Sequence, residues 1–338
     1  IDASNLITGG GVSHLIGIID NLDVERQGVE KTVVFSNSRT LSLLPEKEWL
    51  IKKTHKWLNS NLFMRILWRV FKLDNEIRRN DCDVLFVPSG IYRGHFHPNI
   101  VMPRNMLIYD ETERRRFGFS WQYFKHILLE IVQSRSIKNS DGIIFISEYS
   151  KKFISEKIKI KDIPSKTIYH GVSTEFRKEP EKQRDIKEFN EKNPIKILYV
   201  STVFPYKHQW IVVKAVNELK KEGFPVELHL VGGGEKKSIE KLNKLIELYD
   251  EKREFLKYHG NTEYKKIKDF YHSSDLFVYS STCETMPNIL IEAMSSGLPI
   301  ACSNYEPMPE ILKDGGIYFD PTSVKETKDA MSELINNP

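Results

Sequence analysis

The chain has 338 residues, 40% of them hydrophobic, and a formal net charge of +4. That length points to two domains of roughly 100–200 residues each, and the apolar content excludes wholesale disorder. No apolar run reaches the ~18 residues of a membrane span and no leader peptide is visible, while three scattered cysteines, Cys82, Cys283 and Cys302, argue against a disulfide framework and for a cytoplasmic, reducing location.

The chain opens at Ile1 without an initiator Met, which reads as a start inside a first strand, and ends at Pro338 straight after a helical pattern, so both ends read as cut short. In the first half, strands are expected at 1–4, 31–36, 83–88, 100–103, 142–146 and 166–169, and helices at 12–22, 61–78, 119–138 and 148–156. Between the first strand and helix lies Thr8-Gly9-Gly10-Gly11-Val12, where glycines let backbone approach a ligand and leave helix amides free. Residues 49–80 carry eight Lys/Arg against two acids, interleaved with Trp49, Trp57, Phe63, Trp68 and Phe71. Arg65, Arg69 and Lys72 recur there at helical spacing, so an anionic membrane surface is an expected partner; the alternative is a solvated face packing its aromatics inward. Residues 1–178 hold 28 basic against 20 acidic side chains, a net +8, and the remainder 22 against 26, a net −4. No nucleic-acid-binding motif accompanies the basic half, so no nucleic acid is expected.

A first domain is placed at 1–178, a polar, Pro-bounded linker at 179–194 and a second domain at 195–338. In the second half, strands at 196–202, 226–231, 255–259, 275–279, 299–302 and 316–319 alternate with helical stretches such as 208–221 and 235–249. This alternation means a parallel sheet covered on both faces, with ligands beyond the carboxyl ends of its strands. Two such units imply a cleft between them. No G-x-G-x-x-G opens a strand–helix–strand unit, which excludes a nicotinamide dehydrogenase.

Residues 280–300 read SSTCETMPNILIEAMSSGLPI. A strand ends at Ser280, Pro287 sits where proline favours the first helical position, and the amides of Asn288 and Ile289 then face outward to meet a phosphate. Glu292 is flanked by Ile289, Leu290, Ile291, Ala293 and Met294. A lone carboxylate on so apolar a helix is costly unless it is paired, and a sugar diol is a fitting donor to it. A structural Lys or Arg partner is the alternative. Glu284 lies in the loop just before.

Glu284-x7-Glu292, followed by Ala-Met and Gly-Leu-Pro, resembles the signature of family 4 retaining glycosyltransferases, group 1, of the bacterial polysaccharide type. The resemblance implies a GT-B fold: two Rossmann-like α/β domains with parallel sheets facing a central cleft, the first binding acceptor and the second binding donor. It further implies a metal-independent transfer from a UDP- or GDP-linked sugar to a saccharide or lipid-linked acceptor, with no cofactor, at the inner face of the membrane. In it, Glu284 stands near the donor sugar, Glu292 at the ribose, and Thr285, Met286, Pro287, Asn288 and Ile289 along the sugar and phosphates. Lys207 falls on the family's diphosphate lysine, whereas Thr202 occupies the position of its arginine. Gly232 and Gly260 end strands that line the base pocket; as ordinary turn glycines they need no ligand. Gly10 and Gly11 resemble the first loop, which faces the donor phosphates and the acceptor, and His170 the hinge-side loop, so the resemblance implies donor-binding roles for all three; a satisfied core or turn histidine is the alternative for His170. Arg104 stands where many members place a histidine near the donor sugar, which implies a catalytic position beside Glu284 and Lys207, and could meet a phosphate or an acidic sugar; a surface salt bridge is the alternative. The competing reading is an inactive binding or scaffolding protein on the same fold.

Overall fold

The computed structural model describes residues 1–7 and 9–337; Thr8 of the glycine loop lies outside the described residues. The chain divides into two compact units, Ile1–Tyr109 with Ser120–Gly171, and Asp110–Phe119 with Val172–Pro338.

The first unit runs α1 (Gly10–Asp20), α2 (Val24–Gln27), β1 (Thr32–Phe35), α3 (Ser38–Leu41), β2 (Leu50–Lys53), α4 (Leu62–Phe71), α5 (Leu73–Arg79), β3 (Leu85–Val87) and β4 (Asn99–Val101). The chain then leaves through α6 (Glu111–Arg115), which packs in the second unit, and returns as α7 (Trp121–Lys138), β5 (Gly142–Phe145), α8 (Glu148–Ile158) and β6 (Ser165–Thr167). Two parallel sheets result, β1-β2 and β3-β4-β5-β6. The expected first strand at 1–4 is reduced to a bridge between them: Asp2 N–H donates to Phe86 O at 2.9 Å and Ala3 N–H to Phe35 O at 3.0 Å. Every residue of β1 is buried, as a strand covered on both faces requires.

Residues 49–80 depart most from expectation. Leu50–Lys53 form β2, paired in register with β1. The single helix expected at 61–78 breaks at Lys72, which is non-helical (φ −120°, ψ −34°), and both halves bury residues, Trp68 in α4 and Leu73 and Ile77 in α5. Arg69 does not face solvent: its Nε donates to Asp2 Oδ2 at 3.0 Å, both side chains buried. What α4 exposes is apolar, namely Leu62, Phe63, Ile66, Val70 and Phe71.

The second unit matches its reading closely: β7 (Ile195–Val200), α9 (Gln209–Lys221), β8 (Val226–Val231), α10 (Lys236–Tyr249), β9 (Leu256–Gly260), α11 (Tyr264–Ser273), β10 (Leu276–Tyr279), α12 (Asn288–Ser295), β11 (Ile300–Ser303), α13 (Met308–Leu312), β12 (Ile317–Phe319) and α14 (Val324–Asn336). Its sheet has the order β12-β11-β10-β7-β8-β9, all parallel. The winding reverses between β7 and β10, so the loops after these two strands diverge and leave a crevice at their carboxyl ends. Those loops carry Ser201–Lys207 and Ser280–Glu284.

Candidate functional site

At this switch point the sequence brings together Lys207 and Glu284, 77 residues apart. The Lys207 ammonium is ion-paired to Glu284 Oε1 and donates to Tyr279 Oη at 3.0 Å. Tyr279 Oη in turn donates to the same carboxylate oxygen at 2.6 Å, and Ser281 Oγ donates to it at 2.7 Å. Side-chain exposure is 7% for Lys207 and 14% for Glu284, so neither is a solvated loop residue. All three donors converge on Oε1, and among the described residues none reaches Oε2. Burying this pair is tolerable because each partner is neutralised and hydrogen-bonded. Tyr199 holds the lysine loop to the glutamate loop, its hydroxyl lying against the carbonyl oxygens of Lys207 and Ser280.

Glu292 is only 5% exposed and among the described residues has no cationic partner. Tyr264 Oη donates to its Oε1 at 3.3 Å and Tyr271 Oη to its Oε2 at 3.1 Å. Burial pushes its carboxyl up to about 7, against the opposing pull of the two tyrosines. The expected alternative, a structural Lys or Arg, is absent among the described residues. Its helix, α12, has no side-chain cap, and Pro287 sits at the N-cap rather than at the first helical position, a one-residue difference. Thr285, Met286 and Pro287 are buried, and Asn288 and Ile289 open the helix half-buried.

Other predicted positions divide between structural and open roles. A Cβ on Gly232 (φ +135°) would lie 2.1 Å from Ser201 O, so this glycine is required by the close passage of the β7 and β8 loops. Gly260 (φ +65°) has nothing within 4 Å of its missing Cβ. Thr202 is exposed and supplies no cation. In the first unit, Arg104 Nη2 donates to Gly10 O at 3.1 Å, beside Gly11, and His14 stacks on His170 at 4.3 Å.

The sequence reading missed Tyr199, Tyr264, Tyr271 and Tyr279, because buried aromatics on strands and helices look like ordinary core. It also missed His208, beside Lys207, whose left-handed φ of +49° and contact with Thr282 Oγ1 at 3.2 Å place it under the same loops; burial holds it neutral, down to about 4. Residues 110–119 were read as part of the first half. They pack in the second unit, where Phe117 meets Phe204 at 6.4 Å and buried Glu113 accepts from Arg116 Nε at 2.6 Å. Among the described residues no three His, Cys, Asp or Glu side chains are grouped to hold a metal ion. One Asp-x-Asp triplet, Asp81-Cys82-Asp83, lies in the turn ahead of β3.

Comparison with known proteins agrees with this architecture. The family model for Glycosyltransferase Family 4 matches residues 8–176 and that for Glycosyl transferases group 1 matches residues 180–338. The GPI3 subunit of phosphatidylinositol N-acetylglucosaminyltransferase from Saccharomyces cerevisiae (strain YJM789) is 22% identical over 253 residues, 72% of this chain. That alignment takes in 52% of the yeast protein, so the match spans about half the length of such curated relatives. Among solved structures, Anabaena HepE in complex with UDP-glucose superposes with a TM-score of 0.68 at 17% identity, covering 98% of this chain and 87% of that one. WaaG, a glycosyltransferase involved in lipopolysaccharide biosynthesis, gives 0.69 at 12% identity, covering 98% and 88%. Folded as GT-B and matched by both family models in sequence order, the chain belongs to glycosyltransferase family 4, group 1.

Proposed function

We propose that this protein transfers a sugar, with retention of anomeric configuration, from a UDP- or GDP-linked donor to a saccharide or lipid-linked saccharide in the assembly of a surface polysaccharide. The observation that carries the reading is the pair of buried carboxylates at the switch point, held in unlike ways. Glu292, with no cation, accepts the ribose hydroxyls; the diol adds donors to those of Tyr264 and Tyr271. Glu284 offers Oε2 to a hydroxyl of the transferred sugar while Oε1 stays clamped. Lys207 retains a proton to direct at the diphosphate, and the uncapped start of α12 adds the positive end of a helix dipole. Stabilising the departing diphosphate is the main electrostatic task of such a transfer.

The printed identities of the relatives support the class: HepE is described with UDP-glucose and WaaG with lipopolysaccharide biosynthesis. Loss of activity on the same fold is not favoured, since Glu284, Lys207 and Glu292 all remain. Peripheral attachment to the inner face of an anionic membrane rests on only part of the residues first expected, Phe63, Phe71 and Lys72, which are exposed, together with others. Arg69 is committed to Asp2, whereas α4 and α7 expose apolar side chains, Trp121, Phe124, Leu128 and Ile131 on the latter. No described helix is long and apolar enough to cross a membrane.

The reading is tested by a thermal-shift screen against nucleoside diphosphates and their sugars, followed by NMR of the product anomer formed from the donor that binds. A stabilising UDP- or GDP-sugar and a product with the donor's configuration are expected. Inversion, or no response to any nucleotide, would refute it.

A further inference from the structure

Residues 110–119, which pack in the second unit, are built to hold one ring in place. Asp110 caps α6 by accepting from Glu113 N–H at 3.0 Å. The helical turn runs on past Arg115, with Phe117 N–H donating to Arg114 O at 3.2 Å and Gly118 N–H to Arg115 O at 2.9 Å. The Glu113 side chain is 3% exposed and accepts from Arg116 Nε at 2.6 Å, a charge-assisted bond that pins this turn. Phe117 emerges from it half-buried and meets Phe204, ring centroids 6.4 Å apart.

From Phe204 the packing runs into the site. Phe204 stacks on Tyr206 at 5.9 Å, the rings 5° from parallel. The Lys207 ammonium lies 5.3 Å from the ring centroids of both Tyr206 and Tyr279, and a cation is attracted to each ring face. The two rings are held differently. Tyr279 ends β10 and is bonded to Glu284. Tyr206 sits on a loop, in the single 3₁₀ turn Pro205–Lys207, where Phe204 and, behind it, Phe117 back its ring. Burial first, then the charge of Glu284, then Cys283 and Glu113 raise the Tyr206 hydroxyl well above its ordinary 10, so α6 and the glutamate loop act on the same ring. Among the described residues Glu284 and Tyr279 take two N–H groups of the Lys207 ammonium, which leaves the third for a ligand. A misplacement of about 1 Å in a group that must meet a substrate can cost about 10²-fold in rate, so whatever fixes Tyr206 bears on the reaction.

We infer that Phe117 is a positioning residue of the donor site: through Phe204 and Tyr206 it sets where the free N–H of Lys207 points. The inference rests on the reading above in which Lys207 meets the donor diphosphate. It adds to that reading a side chain from the stretch between β4 and α7 that touches neither nucleotide nor sugar.

The test compares Phe117→Ala with Phe117→Tyr, which keeps the ring. Calorimetry with UDP or GDP, whichever binds, and with the matching nucleoside monophosphate reads the grip on the diphosphate. Phe117→Ala should lose tenfold or more of the preference for the diphosphate, hold monophosphate affinity within twofold, and lower kcat tenfold or more with the donor that binds. Phe117→Tyr should restore all three to within threefold of wild type. If Phe117→Ala does not fold, Phe117→Leu, which keeps the apolar bulk and loses the ring, is read in the same way. A ring that only fills space would lower the melting temperature and leave the diphosphate preference and kcat unchanged, and that result overturns the inference. So does an equal loss of monophosphate and diphosphate affinity, which would mean general damage to the site. A second reading needs no nucleotide. In a double-mutant cycle with Lys207→Met, the effects of the two substitutions on the unfolding constant should depart from additivity threefold or more, and additive effects overturn the brace. If wild type binds no nucleotide at all, the nucleotide-sugar reading falls and this cycle alone decides whether Phe117 braces Lys207.

Discussion

Glu284 and Glu292 sit eight residues apart in one loop–helix segment, and both are buried, yet they are kept in opposite ways. Glu284 is neutralised by Lys207 and saturated on one oxygen by three donors. Glu292 has two tyrosine hydroxyls and no cation, and its carboxyl is raised to about 7. The difference separates two tasks. A charge locked in place by an ion pair and hydrogen bonds suits the centre where the glycosidic bond changes, since its orientation needs no reorganisation. A charge left short of donors is unstable without ligand and gains when hydroxyls arrive, so it suits recognition.

The sharpest way to break the contrast is to strip each carboxylate of what holds it. Lys207→Met leaves Glu284 charged and half-satisfied in a buried place, a loss of about 3–5 kcal/mol. Chemical denaturation should find most of that restored in the Lys207→Met/Glu284→Gln double variant. Full loss in the double variant would mean that the pair is not the source. With the fold intact, Glu284→Gln should lower kcat by about 10²-fold and leave UDP or GDP affinity nearly unchanged; a change confined to KM would contradict its place at the sugar.

Glu292→Gln should behave in the reverse sense, gaining stability while losing ligand. The folded carboxyl is raised above its ordinary 4.5, so the folded state holds this proton more tightly than the unfolded chain. Its stabilising effect is therefore full below about pH 4.5 and is lost as the pH rises through about 7. At pH 8 the Gln variant should be more stable than wild type by ~2–3 kcal/mol, as read from urea melts at pH 5 and pH 8. Equal melts at pH 8 would remove the claim of a strained carboxylate. The smallest effect is expected for Tyr264→Phe, which deletes one of two donors. About 1 kcal/mol of support for the charged form is lost, raising the Glu292 carboxyl further and weakening nucleotide a few-fold above pH 7, whereas kcat at saturation stays near wild type.

The contrast also marks what sequence could and could not reveal. Glu292 was legible because periodicity alone shows one carboxylate among Ile289, Leu290, Ile291 and Ala293, and burial follows from the pattern. The sheet of the second unit was legible for the same reason: its strands are continuous apolar runs ended by glycine or polar loops. The partners were not. Tyr264, Tyr271 and Tyr279 reach the carboxylates from other elements, and no local rule distinguishes a tyrosine that donates inward from one that fills space. Arg69 misled for a related reason. Its spacing with Arg65 matches a basic face, but the ion pair with Asp2 spans 67 residues and turns that face inward, leaving Phe63 and Phe71 outside. Residues 110–119 open with a charged run, DETERRR, but a charged run is equally at home on a solvated face and does not announce packing in the other unit.

The central claim is that Glu292, as the anion, grips the ribose of the donor nucleotide. It is tested most directly by calorimetry of UDP or GDP, whichever binds, and of its 2′,3′-dideoxy analogue, from pH 6 to 8.5, for wild type and Glu292→Gln. The terminal phosphate itself titrates near pH ~6, so the decisive quantity is the difference between the two proteins at each pH. The account predicts that wild type prefers the ribonucleotide by tenfold or more above pH 7. That preference should shrink as the pH falls through about 7, and Glu292→Gln should bind both nucleotides alike at every pH. A preference for the ribonucleotide that survives in Glu292→Gln, or one in wild type that does not change with pH, would contradict it.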